Sequence, residues 1–455
     1  MKLAIIGGGW AGLSAAVTAL QLGHDVVLHE SAGALGGRAR SVHTPALDAT
    51  IDNGQHILLG AYTATLELMR TLGLDPEQQF HRLPLNVRSA DASLRLQAPP
   101  LLPAPLNIAV ALLTARGLSW SEKQAALRAM LTLRRRAWKT PKGWTVQQWL
   151  NASGQPPRLQ RLLWVPLCIA TLNTPVETAC ARLFARVLRD SLGASQRAAS
   201  DMLIPRMGLT DLWPACVEQW ANRHALPHTG GEPTHRFALR QPHTARHLHY
   251  ATRETLTVDD APDAYDAIVV CANTPSTARL LATLPPRPGT AEFIAELKAF
   301  EHAPIATLTL ELQAPWRLPA PMMLLHEDRA RGHFGQWVFQ GQDAGARLLH
   351  VVVSDADTLL EQPRSQAVAS MLEQLKEQIR GGAMPAVARH VLIAEKRATF
   401  RAVPGLKRPG NRTPWPRVWV AGDWTDTGYP AVLEGAVRSG RDAVRLLHAS
   451  GRSPV

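Results

Sequence analysis

Asp52-Asn53-Gly54-Gln55-His56 places a carboxyl, two amides and an imidazole within five residues, directly followed by the apolar run Ile57-Leu58-Leu59. Polar groups gathered in an apolar setting are where reacting protons are usually kept. Asp52 and His56 are the candidate proton donors, with Gln55 beside them as a third catalytic candidate. A carboxyl kept neutral by burial is suited to donate. In a plainer reading, Asp52 and Asn53 cap a helix that starts near His56, and His56 is only a hydrogen-bond partner.

Such groups need a frame, and the chain begins with one. Leu3-Ala4-Ile5-Ile6 is an apolar run bounded by glycines, the pattern of a buried parallel strand. Gly7-Gly8-Gly9-Trp10-Ala11-Gly12 then fits G-x-G-x-x-G. Gly7 allows the tight turn, Gly9 lets backbone approach a pyrophosphate, and Gly12 lets a helix pack on the strand. Apolar residues at helical spacing (Leu13, Ala16, Val17, Leu20) predict that the phosphates, with Trp10 and Ala11, sit at a helix N-terminus. A second strand, His24–Glu30, delivers Glu30 eighteen residues after Gly12, where a carboxylate accepts from an adenosine ribose. Ser31 follows it.

Two further segments decide which dinucleotide this is. Gly36-Gly37-Arg38-x-x-Ser41 comes soon after Glu30, and Arg417-Val-Trp-Val-Ala-Gly422-Asp423 is a strand running into Gly-Asp. By itself the first is a surface turn with a solvated arginine. Together with the glycine loop, they resemble the large FAD-dependent family that contains amine oxidases and carotenoid desaturases. The resemblance implies a second phosphate clamp at Gly36, Gly37 and Arg38, and a ribityl contact at Asp423 after Gly422. It also implies a helix from Ala431 to His448 whose N-terminus, at Ala431 and Val432, faces the flavin pyrimidine edge. There it would stabilise negative charge, and Pro430 suits the first turn of such a helix. Gly54, Gln55 and His56 would pass beside the flavin ring. The expected cofactor is non-covalent FAD, since no cysteine follows Cys271.

Composition sets the outer bounds. The length allows two domains. The net charge of +12 favours anionic surfaces, and no nucleic-acid-binding signature is present, so lipid is the expected partner rather than nucleic acid. Four cysteines without C-x-x-C spacing predict reduced thiols and a cytoplasmic protein. The glycine-rich N-terminus argues against a signal peptide. Six histidines between His224 and His249 lack accompanying carboxylates or cysteines, so no metal is expected.

Residues 98–115 carry no charge, but four prolines in the first half forbid a spanning helix. A helix from about Leu106 and another from the Ser119-x-x-Glu122 capping box are expected. The second ends in Arg134-Arg135-Arg136-Ala-Trp138-Lys139, which reads as a segment lying on a membrane surface or as a solvated basic face. Thr174-Pro175-Val176-Glu177 predicts a helix start, with Gly193 ending the helix. Tyr265–Asn273 should rejoin the dinucleotide sheet. Ala306–Leu312, Gln336–Phe339, Leu348–Ser354 and Val391–Glu395 read as strands of a second domain.

DNGQHILLGAY (52–62), with LWVPLCIATLNTP (163–175) and SDMLIPRMGLTDLWP (200–214), resembles one branch of that family, the hydroxysqualene dehydroxylases. Amine oxidases commonly carry a lysine at the start of the strand where this chain has His302-Ala-Pro304-Ile305, which counts against amine oxidation. The resemblance implies an α/β fold: a Rossmann-like FAD-binding domain (1–60, 201–275, 396–455) interleaved with a mixed-sheet and helical substrate domain (61–200, 276–395). It implies hydride transfer from reduced FAD to an allylic cation of hydroxysqualene, giving squalene for hopanoid-type pathways. The partners implied are the long-chain isoprenoid, a reductant for FAD, and peripheral contact with the cytoplasmic membrane face. A carotenoid-type desaturase working from oxidised FAD is the alternative enzyme, and a non-catalytic isoprenoid carrier is the alternative of another class.

Overall fold

The computed structural model describes residues 1–224, 237–342, 345–380 and 382–450. Five short strands make a parallel sheet in the order Phe237–Arg240, Asp25–His29, Lys2–Ile6, Ala267–Val270, Val418–Val420. Apart from the edge strand Phe237–Arg240, where only Phe237 is buried, these strands are largely apolar and buried, as parallel strands are when helices cover both faces. Helices Trp10–Gln21 and Leu433–Ser450 lie against each other on this sheet. They approach so closely that a Cβ on Gly440 would stand 2.0 Å from the Ala11 carbonyl oxygen.

A second sheet has the order Met322–Leu324, Trp337–Gln340, Leu348–Ser354, His302–Leu312, Val387–Phe400, paired antiparallel, with one parallel bridge from Ser89 to Leu324 at its edge. Period-two alternation divides the long strand His302–Leu312. Ala306, Leu308, Leu310 and Leu312 enter a core with helix Arg364–Gln378. The opposite face carries Ile305, which packs with Ile57, Leu83, Met202, Trp337, Phe339 and Val352. The strand Val387–Phe400 pairs with His302 through Phe400, so the second sheet extends past the expected boundary at 396. Residues Met202–Pro205 pair with Leu58–Leu59 and Phe80–Leu83 rather than with the parallel sheet.

Two helix starts differ from expectation. The turn at Thr174-Pro175-Val176-Glu177 does not continue, and the helix is Ala181–Ser191. Cys180 is extended, bridged to Thr145, with its N–H donated to the Ala402 carbonyl, and an extended residue interrupts a helix. The last helix starts at Leu433, so Ala431 and Val432 precede it. The capping-box helix is Trp120–Arg135, with both reciprocal bonds made. Among the described residues no helix is long and apolar enough to cross a membrane. No His, Cys, Asp or Glu group among them could hold a metal ion. His228 and His235 lie outside the described residues.

Candidate functional site

The glycine loops are built on each other. Gly36 donates its N–H to the Gly8 carbonyl at 2.9 Å, and Gly9 bridges Gly36. Gly7 and Gly36 adopt φ of +110° and +108°, which favours glycine. The glycines then fall into two kinds. A Cβ on Gly12 would stand 1.8 Å from the Gly7 oxygen, and one on Gly7 would stand 2.8 Å from the Cys271 oxygen. Both are required by the protein's own packing. A Cβ on Gly9 meets nothing nearer than the Gly37 Cα at 3.7 Å. The fold itself does not need a glycine at position 9.

That opening faces the N-terminus of Trp10–Gln21. The helix has no side-chain cap and no acidic residue in its first turn, so its first N–H groups and its dipole are left to an anion. The Trp10 side chain is held within the protein. Its indole N–H donates to the Ala39 carbonyl and its ring packs edge-on against Trp213. Glu30 is buried, and its carboxylate accepts from the Gly8 and Ala32 N–H groups, each at 2.6 Å, with Ser31 Oγ at 3.3 Å. It stands at the end of its strand, as expected, and also holds the loop.

Arg38 and Asp423, distant in sequence, meet as an ion pair at 2.6 Å. The Arg38 guanidinium also donates to the Ala398 carbonyl. The pair gives the buried carboxylate of Asp423 its counter-charge. Gly422 donates to Ser439 Oγ, which orients the Gly-Asp turn against the last helix.

Asp52 lies on the strand Ala49–Asp52, in a hairpin with Ser41–Thr44, and no helix starts near His56. It does meet a helix start, in a distant segment. Oδ1 accepts from the Leu209 N–H and from Ser41 Oγ, both at 2.8 Å. Burial pushes its carboxyl above the usual range despite these bonds. Asn53 is tied to the Arg38 and Arg40 backbone. His56 donates from Nδ1 to the Gly54 carbonyl at 2.8 Å, and burial lowers its pKa. A neutral ring that donates from Nδ1 presents Nε2 as an acceptor. In this state His56 can accept a hydrogen bond at Nε2. Gln55 is half-buried between Gly54 and His56.

Three residues escaped the sequence reading. Thr307 is buried, and its hydroxyl has no partner. A Cβ on Gly54 would lie 3.6 Å from His56 Cε1 and 3.8 Å from Thr307 Oγ1, so the two polar side chains flank Gly54. The alternation of Thr307 and Thr309 with Ala306, Leu308 and Leu310 was the available signal. Arg408 donates to the carbonyls of Asp423, Trp424, Thr425 and Tyr429 and to Thr427 Oγ1. Glu434, fully buried in the first turn of the last helix, accepts from the Ala64 and Thr65 N–H groups and from Arg438. Its carboxylate shares the helix N-terminus expected to serve the flavin, so that field is partly answered within the protein.

The open space at the Gly9 Cβ position, the uncapped helix and the Gly-Asp turn together fit FAD. Comparison with known proteins agrees. The family model for flavin containing amine oxidoreductase matches residues 10–448. A hydroxysqualene dehydroxylase of Rhodopseudomonas palustris is 31% identical, over 99% of each chain. Another from Zymomonas mobilis is 26% identical, over 97% of this chain and 98% of the relative. Among solved structures, an oxidoreductase from Methanosarcina mazei superposes with a TM-score of 0.71 at 16% identity, covering 98% of this chain and 100% of its own.

Proposed function

We propose, on the premise that the chain belongs to the flavin-containing amine oxidoreductase family and is an FAD-dependent oxidoreductase, that it reduces hydroxysqualene to squalene. One observation carries this reading: an imidazole acceptor and an unpartnered hydroxyl flank Gly54, and the sheet face bearing Thr307 continues into an apolar wall of Ile57, Ile305, Trp337 and Val352. A hydrocarbon bearing a single hydroxyl matches that surface. The relatives named hydroxysqualene dehydroxylase, similar over nearly the whole chain, support the same substrate.

Reduced FAD, when bound, supplies the hydride. The protein's task is to hold the hydroxyl, exclude water and deliver one proton, so that the C–O bond breaks, water leaves, and a C–H bond forms in its place. His56 Nε2 accepts the substrate O–H, and Thr307 Oγ1 is the second polar contact. Asp52 is the proton source, since burial favours its neutral form and Oδ1 is already occupied by two donors. A reductant must restore the flavin after each turnover. A thirty-carbon substrate is strongly retained by lipid, at about 0.8 kcal/mol per buried CH₂. The enzyme therefore works peripherally at a membrane.

Asp52→Asn preserves the acceptor for Leu209 and Ser41 and removes the proton. It is expected to keep FAD and to lower turnover about 10²-fold or more. The wild-type rate should fall as pH rises through the raised Asp52 pKa, because the working form is protonated. The variant's profile should be flat over the same range. Wild-type turnover by Asp52→Asn, or an unchanged pH profile, would remove Asp52 from the reaction.

A further inference from the structure

We infer that the exposed face of helix Trp120–Arg135 docks the protein on an anionic bilayer surface. This deepens the isoprenoid reading by naming the surface that meets lipid. Its observations come from this helix and the segment beside it and do not depend on the reaction.

The helix has two apolar faces of different kinds. Ala126, Ala129 and Leu133, with Glu122, point inward and are buried. Trp120, Leu127 and Leu131 fall at i, i+7 and i+11, on the opposite side. Trp120 is 62% exposed and Leu131 is 42% exposed. A tryptophan and leucines directed at water have no role in the core.

Bases flank this stripe. Helical spacing puts Lys123 and Arg134 on one side and Arg128 and Arg135 on the other, and Arg136 and Lys139 are exposed just beyond the end. The helix's one acid, Glu122, is withdrawn: it is buried in the capping box and paired with Arg158. The exposed face is therefore wholly cationic around an apolar centre, the pattern of a helix lying in the headgroup plane. Nucleic acid would satisfy the bases but leave the tryptophan and leucines uncovered. A second copy of this chain would set cationic faces against each other. An anionic leaflet answers both halves.

The adjoining segment adds to this surface. Leu106 begins the helix that packs against Trp120–Arg135 and is 55% exposed, and Leu101 before it is 93% exposed. Trp138, read from sequence as part of the lipid-facing cluster, is not. Its ring covers Gly193 and packs on the core, so Trp120 at the other end of the helix takes that place. Arg158 holds the Glu122 carboxylate and the Gly117 carbonyl, which ties the Trp120 end of the helix to the body of the protein.

Flotation of the flavin-loaded protein with vesicles tests this. Binding is expected to phosphatidylglycerol-containing vesicles, with little to phosphatidylcholine alone, and it should weaken in high salt. Each base changed to Gln among Arg134, Arg135 and Arg136 should lower partition about fivefold, the equivalent of about 1 kcal/mol per base. Trp120→Ser with Leu131→Ser should release the protein from vesicles while flavin content, circular dichroism and turnover of detergent-dispersed substrate stay unchanged. Failure of the wild type to float, or equal flotation by the Ser double variant, would overturn the inference. Wild-type self-association or nucleic-acid binding that the double variant loses, without vesicle binding, would also overturn it. Vesicle binding is read without turnover, so its failure is distinguishable from failure of the proposed reaction.

Discussion

Arg408→Ala is expected to yield a folded protein without flavin. The guanidinium gathers four backbone carbonyls between Asp423 and Tyr429 and rests on the Phe400 ring at 4.8 Å. Burial lowers its pKa to about 10, so it stays charged at neutral pH. No other described side chain organises this loop to the same extent, and the loop carries Asp423. Each buried carbonyl left unpaired costs about 1–3 kcal/mol. Loss of even two would weaken retention of a group that depends on the loop by about 100-fold, at about 1.4 kcal/mol per tenfold. Lysine has three donors on a single nitrogen and cannot reproduce the fork, so Arg408→Lys should be nearly as impaired. The parallel sheet draws its strands from elsewhere, and circular dichroism should stay near wild type. The flavin-to-protein ratio after gel filtration is the readout. A fully yellow Arg408→Ala protein would show that the loop holds its shape by other means.

Gly9→Val separates packing from binding. Gly12→Ala should damage the fold itself, because its Cβ would collide with the Gly7 carbonyl. Gly9→Ala meets only ordinary contact at 3.7 Å and should fold normally. Valine at position 9 adds two methyls above the helix N-terminus, where the pyrophosphate must approach backbone N–H groups. The expected product is a stable, colourless apoprotein with a melting temperature matching that of wild-type apoprotein, and FAD affinity lowered at least 10³-fold. Flavin fluorescence titration measures this. A Gly9→Val protein that binds FAD as tightly as wild type would move the phosphates away from this loop.

The contrast between these glycines shows what the sequence could and could not disclose. Spacing places Gly7, Gly9 and Gly12 in one motif, and strand, helix and terminal acid follow in order, so the parallel sheet was legible. The motif also separated the turn at Gly7 and the helix packing at Gly12 from the open position at Gly9, but not the long-range contact of Gly7 with the Cys271 carbonyl, which depends on where that strand passes. Arg38 illustrates the same limit. Its ion-pair partner Asp423 stands hundreds of residues away, so the pair left no local signal. Asp52 was legible as a polar residue in an apolar setting, but its tie to Leu209 was not. Arg408 and Thr307 gave little local signal, one lying in a proline- and glycine-containing loop and the other in a plain strand. The capping box at Ser119 was readable because both of its bonds are local. The helix expected at Thr174 failed because Cys180 is held extended by long-range partners.

The central claim concerns the direction of electron flow, and one anaerobic measurement addresses it. The purified yellow protein is reduced chemically, mixed with hydroxysqualene in detergent, and its products are extracted and identified by mass. The account predicts squalene, formed in step with reoxidation of the flavin. If no squalene forms, and oxidised enzyme instead becomes reduced on meeting a saturated isoprenoid, the chain is a desaturase and the proposed reaction is wrong. Retained flavin with neither outcome would mark a carrier and contradict the account equally.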